Sequence, residues 1–467
     1  MITCMPALLK SKQKYKHIKK NEAMKNKKIL YIALMIVFAG LVSAIVIFKK
    51  DDKGLLPLKE RTSALAALKE WPATQAKALE LIKKIAEKPD DTKSEIALAN
   101  IYVEEGRITG DYSYYNKATL RVVNRILKKE PDNFEALIYK SLVYLNAHRF
   151  AEARDIAERA RNINPYESFV YGLLCDANVE MGDYDMAVKM ADQMNLIKPS
   201  MNSYARVSYL REIYGQVPGA IDAMRMAVQA GMPGMEQTAW SLEKAGHLYE
   251  NIGNIDSAKT EYQIALAERP DYAFAIAGMG RVEMAKKNYT AAIEDFNKAK
   301  NIVADFSFFD ALTDLYRLTG NTAKAEENAE IVVKMLENSE EMSGGADDIG
   351  HNANKELAYA YLKTGQNDKA LERAEAEYKI RPNNIDVDEM MAWTAYKNNK
   401  YADANKYIQQ AMKTNSQNPT LLYQAGLIKI KAGDKENGTA LLNKATSIDP
   451  YLSSDLLSEG KGYLTMK

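Results

Sequence analysis

Two hydrophobic patterns divide the chain. From Ile29 to Phe48, twenty residues run without a charge (ILYIALMIVFAGLVSAIVIF), enough at about 1.5 Å per helical residue to cross a hydrocarbon core of about 30 Å. A buried helix of a soluble protein rarely stays apolar on every face over that length, so the run predicts a membrane-spanning helix. Beyond Leu58 the apolar positions no longer run together. They recur in a long period, and the proline spacing gives its length: Pro131, Pro165 and Pro199 are 34 residues apart, and Pro382 and Pro450 are twice that. The spacings Pro199 to Pro270 and Pro270 to Pro382 exceed whole periods by a few residues. The excess falls in the breaker-rich stretches Gly231–Gly234 and Asn338–Gly350, where insertions belong.

Other marks keep step with the prolines. If the proline is position 32, small residues stand near position 20 (Ala153, Ala187, Ala258, Ala292, Ala370, Ala404). Aromatic groups stand near 24 (Tyr262, Phe296), and alanine stands at 27 (Ala160, Ala265, Ala299, Ala411, Ala445). Position 15 is commonly glycine (Gly182, Gly253, Gly320, Gly365, Gly433), which can close a helix in the left-handed conformation before the chain turns back. Each period therefore predicts two helices. Small residues let the paired axes approach, and the proline, which cannot donate a backbone hydrogen bond, separates one pair from the next. No such pair buries its apolar face alone, so the pairs must stack.

These marks resemble the tetratricopeptide repeat, as in Ala245-Gly246, Tyr249, Gly253, Ala258, Tyr262, Ala265 and Pro270 of one unit. The resemblance implies an all-α solenoid, a right-handed superhelix of helix pairs, preceded by the one membrane helix. The expected organisation is a Lys-rich tail (1–28), the membrane helix (29–48), a linker (49–57), about ten or eleven repeats (58–450) and a capping segment (451–467). Units from 134 to 201, 239 to 306 and 351 to 450 carry the marks most fully. The stretch 58–133 is weaker, with an insertion expected around Thr109–Tyr115, and 202–236 and 306–339 are degenerate.

Charge places the chain relative to the membrane. Residues 1–28 hold nine Lys and one Glu. Three Lys follow the apolar run, interleaved with Asp51 and Asp52, so the lysine bias puts the N-terminus in the cytoplasm and the repeats outside. A bacterial inner membrane with a periplasmic solenoid is the expected setting. The alternative is a secreted or periplasmic chain cut near Ala44, where Val42-Ser43-Ala44 offers small residues, with translation starting at Met1 or Met24. The whole chain is near neutral at +1, so the part after residue 28 is acidic, at −7. That balance argues against wrapping nucleic acid, which needs clustered Lys and Arg.

Catalytic and metal motifs are missing from the sequence. His17, His148, His247 and His351 are never at metal-ligand spacing, only Cys4 and Cys175 are present, and no phosphate-binding or nucleophile-elbow motif occurs. No enzyme activity, metal or other cofactor is expected. Cys175 and the methionines between 181 and 235 read as core filling.

In a tetratricopeptide solenoid the first helix of each repeat lines the concave face, and the resemblance puts Phe169, Tyr209, Trp240, His247, Phe274, Arg281, Tyr359, Trp393, Tyr396 and Tyr423 there. Aromatic groups with interspersed charges suit a peptide groove. The family's carboxylate clamp is not reproduced, since Lys355 is followed by Tyr359 where an Asn belongs. The expected role is a membrane-tethered, non-catalytic scaffold for a protein or peptide partner. A glycan or small-ligand carrier, or a regulatory subunit of a cell-envelope enzyme, is the alternative.

Overall fold

The computed structural model describes residues 54–341 and 347–464. The predicted tail and membrane helix (1–28 and 29–48) lie outside the described residues. Among those described, no helix is long and apolar enough to cross a membrane. They form 23 helices and no strand.

Ten helix pairs make up the body, from Thr92–Thr109 with Tyr112–Lys129 to Pro419–Lys431 with Lys435–Ile448. Trp71–Glu87 packs on the first pair and the short helix Ser454–Gly460 on the last. Pro131, Pro165, Pro199, Pro270 and Pro382 fall between pairs, and Pro450 follows the last pair. Within every pair the turn contains one residue of positive φ. It is glycine in seven turns and His148, Lys287 and Asn399 in the others. Five of the ten second helices are capped by a carboxylate or amide side chain, as where Asp183 accepts from the Met186 amide and Asn254 from that of Ser257. The alanines at positions 20 and 27 are completely buried where the paired helices cross.

Around Thr109–Tyr115, where an insertion is expected, the pair carries its extra length inside its two helices. Gly110 is simply the turn of a regular pair whose two helices are 18 residues each, longer than the 13 or 14 usual elsewhere. The degenerate stretches also fold as full pairs, Met201–Ile213 with Val217–Ala230 and Phe306–Leu318 with Thr322–Glu340. In the first of them buried Ser208 donates to Ala220 O at 2.7 Å across the pair, as Ser141 does to Ala153 O in a well-marked unit.

The aromatic at position 24 shows how tightly pairs are fitted. Tyr262 is fully buried between Gly246 of its own pair and Gly278 of the next, where an added Cβ would lie 2.4 Å and 2.7 Å from the ring. Its hydroxyl accepts from Arg281 at 3.0 Å, so the ring is held at both ends. Gly246→Ala or Gly278→Ala is therefore expected to cost about 1–3 kcal/mol by overpacking, read as a lower urea midpoint. A loss of under about 0.5 kcal/mol would show that the ring can shift.

Successive turns of the superhelix touch. Arg381 bonds Glu180, 201 residues earlier and close to six periods of 34. Asn384 Nδ2 donates to Val179 O and Glu180 O at 3.2 and 3.0 Å, and Ile385 N donates to the Tyr184 hydroxyl at 2.8 Å. The same offset brings Asn352 N to Ala147 O at 3.0 Å, Gly215 against Asn415 and Gly253 against Pro450. Helix-pair turns on one level thus meet inter-pair loops on the next. This seam closes the solenoid around its own axis.

Candidate functional site

Among the described residues, a large cavity of about 1780 Å³ is lined by the concave helices of the repeats and by residues 347–351. Of the ten residues placed on the concave face from sequence, Phe169, Tyr209, Trp240 and His247 line it. Tyr209 is 41% exposed.

The other six do not reach the cavity. Arg281 is committed to structure: it donates to Glu250 at 2.8 Å, to Glu243 at 3.3 Å and to the Tyr262 hydroxyl. Phe274 packs on Phe308 with ring centroids 5.4 Å apart, beside a small crevice near Arg269. Tyr359 is half-buried against Met390 and its neighbours. Trp393, Tyr396 and Tyr423 are buried together with Leu456 of the C-terminal helix. Trp393 stacks on Tyr396 at 4.9 Å with Lys397 above both rings, Lys397 pairs with Glu459, and the Tyr423 hydroxyl donates to Leu457 O at 3.3 Å. The C-terminal segment therefore covers the inner positions of the last repeats, and those three aromatics are corrected from partner contacts to core.

Sequence reasoning expected charges among the concave aromatics but not how far carboxylates prevail over cations in the cavity. The lining carries fourteen carboxylates against four Lys or Arg, and the four cations are already paired: Arg107 with Glu236, Lys117 with Asp348, Arg206 with Asp176 and Lys244 with Glu243. The net −7 of the chain past residue 28 was the one available signal. Glu180, Asp386 and Glu389 lie together on the wall with Lys355 3.4 Å from Asp386. Burial raises Glu389 to about 8, and the neighbouring Asp386 adds to the shift while Lys355 opposes it. Burial likewise raises Glu180 and Glu212. Packing several carboxylates on one concave wall makes each harder to ionise.

The fold also brings together two histidines that the sequence left unpaired. The rings of His148 and His351 are 4.2 Å apart at their centroids, with Glu356 3.8 Å from His148 Nδ1. They are 203 residues apart in sequence, so no local spacing could announce them.

Helix pairs stacked at a 34-residue period with these crossings define a repeat-built binding fold. Residues 120–168, 243–305 and 389–453 match the tetratricopeptide repeat family, and the chain is a tetratricopeptide repeat protein. No curated protein matches it. Among solved structures it is similar to the human IFIT1 dimer with m7Gppp-AAAA, with 15% identity, 84% of this chain and 91% of that one covered, and a TM-score of 0.45. It is also similar to TTC0263, a thermophilic TPR protein of Thermus thermophilus (17%, 43% and 98% covered, TM-score 0.35). A third is YrrB, a TPR protein with an unusual peptide-binding site (16%, 40% and 94%, TM-score 0.28).

Proposed function

We propose that the chain is a non-catalytic scaffold, tethered by residues 29–48 to a bacterial inner membrane with its N-terminus in the cytoplasm and its repeats in the periplasm. There it binds a cationic segment of a partner protein in the acidic cavity. The observation that carries this reading is the excess of carboxylates on a concave wall that also presents Tyr209 and Trp240. Aromatic faces supply contact area and cation–π attraction for Lys and Arg side chains, and the carboxylate-rich lining supplies charge complementarity. The same lining repels phosphate backbones, which supports a protein partner over nucleic acid. Tethering would raise the effective concentration of partners that share the membrane.

Crosslinking in native membranes followed by mass spectrometry tests this. Tyr209→Ala with Trp240→Ala should remove partners from the crosslinked set. Trp393→Ala, away from the cavity, should leave the set intact. An identical set in the double variant would refute the cavity as the binding site.

The acidic wall also makes a pH prediction. Glu389 is neutral below about 8 and ionises above it, so the cavity gains negative charge as pH rises. Affinity for a Lys-rich peptide should therefore increase between about pH 7 and about pH 9, and binding near pH 7 should release a proton, since a bound cation favours the carboxylate. Titration calorimetry in buffers of different ionisation enthalpy reads both effects. Glu389→Gln should abolish the proton release, and a pH-independent affinity in the unaltered chain would contradict the assignment.

A further inference from the structure

We propose that His148, His351 and Glu356 form a binding site for a divalent transition metal of the zinc class, which staples two successive turns of the solenoid across their seam. The three side chains offer ligand atoms that all lie within 4.8 Å of one another. Two imidazoles and one carboxylate are the donor set that zinc accepts, at bonds of about 2.0–2.2 Å. Tetrahedral donors around such an ion are about 3.3–3.5 Å apart, so modest side-chain rotations complete the arrangement.

His148 is oriented from behind: its Nδ1 lies 3.2 Å from Asn352 O, and the Asn352 amide donates to Ala147 O at 3.0 Å. Donation from one ring nitrogen to a backbone carbonyl fixes the tautomer and leaves the lone pair of the other free, the second-shell pattern of metal-bound histidine. Glu356 contributes an independent sign: its Oε2 is buried with no hydrogen-bond partner among the described residues, a cost that a bound cation removes.

All three groups face the cavity. Three protein ligands leave a fourth position directed into it, open to water or to a side chain of a bound partner. His148 lies in one superhelical turn and His351 and Glu356 in the next, so occupancy would tie the seam at this level.

Equilibrium dialysis of the full chain against zinc, with metal analysis, tests the site. Cys4→Ser with His17→Ala removes the other candidate ligands near the N-terminus and serves as the reference chain. That reference should hold one zinc per chain and melt at a higher temperature with zinc than without. His148→Asn is chosen because position 148 sits at φ 55°, and Asn399 already occupies the matching turn of another repeat. His148→Asn, His351→Asn and Glu356→Gln should each weaken zinc binding by at least about tenfold and lose the zinc-dependent melting shift, while melting without zinc close to the reference. The site is refuted if the reference chain binds no zinc, or if the His148→Asn/His351→Asn double variant keeps the equivalent.

Discussion

Arg381→Ala is expected to destabilise the solenoid by about 3–5 kcal/mol, the usual cost of leaving a buried charge without its partner. Arg381 is 2% exposed and joins two turns of the superhelix at once. Its Nε donates to Glu377 Oε1 at 2.5 Å within its own helix pair, and its Nη1 donates to Glu180 Oε2 at 2.5 Å on the preceding turn. The guanidinium also lies over the Phe150 ring, 4.7 Å from its centroid. Glu377 is equally buried and would retain only the amides of Asn352 and Asn354, at 2.8 and 3.4 Å.

Because repeats unfold partly independently, the loss should be concentrated at the seam. Amide exchange should accelerate at Val179–Tyr184 and Asn383–Val387 before the distant pairs respond. Arg381→Met with Glu377→Gln replaces the pair by groups that need no counter-charge, and it should lie closer to the parent chain than Arg381→Ala does. A single-variant loss under about 1 kcal/mol, or exchange that rises uniformly, would show that the ion pair does not hold the seam.

Local rules wrote much of this fold into the sequence. Alanine at positions 20 and 27, proline between pairs and a left-handed residue at position 15 all act within one repeat, so each leaves a periodic mark. The turn residues His148, Lys287 and Asn399 adopt the same positive φ as the glycines but escape a search for glycine. The inner face was less legible. Whether a first-helix aromatic reaches the cavity depends on what lies over it, and Trp393, Tyr396 and Tyr423 carry the pattern of groove residues but are roofed by Leu456 and its neighbours. The seam left no mark at all. Its partners are about 200 residues apart and use ordinary groups, such as an Asn side chain on a carbonyl or an Arg on a Glu. The histidine pair is of that kind: its signal is three-dimensional.

Gly182 carries the second large effect. It adopts φ +77°, and a Cβ there would fall 2.3 Å from the carbonyl carbon and oxygen of Asn383 on the next turn. Gly182→Ala thus combines the cost of a left-handed L-residue, about 1–2 kcal/mol, with a backbone overlap that no rotamer change can relieve. The total should reach roughly 3–4 kcal/mol. Gly433 and Gly365 occupy the same turn position with positive φ but have nothing within 4 Å, so alanine there meets only the backbone term. Urea midpoints should separate Gly182→Ala from Gly433→Ala by about 2 kcal/mol. X-ray scattering should show an increased radius of gyration for Gly182→Ala alone, because the overlap is relieved only by parting Gly182 from Asn383. If the two variants behave alike, the contact between turns is not a feature of the molecule in solution. The cavity, whose closure depends on that contact, would then open into a groove.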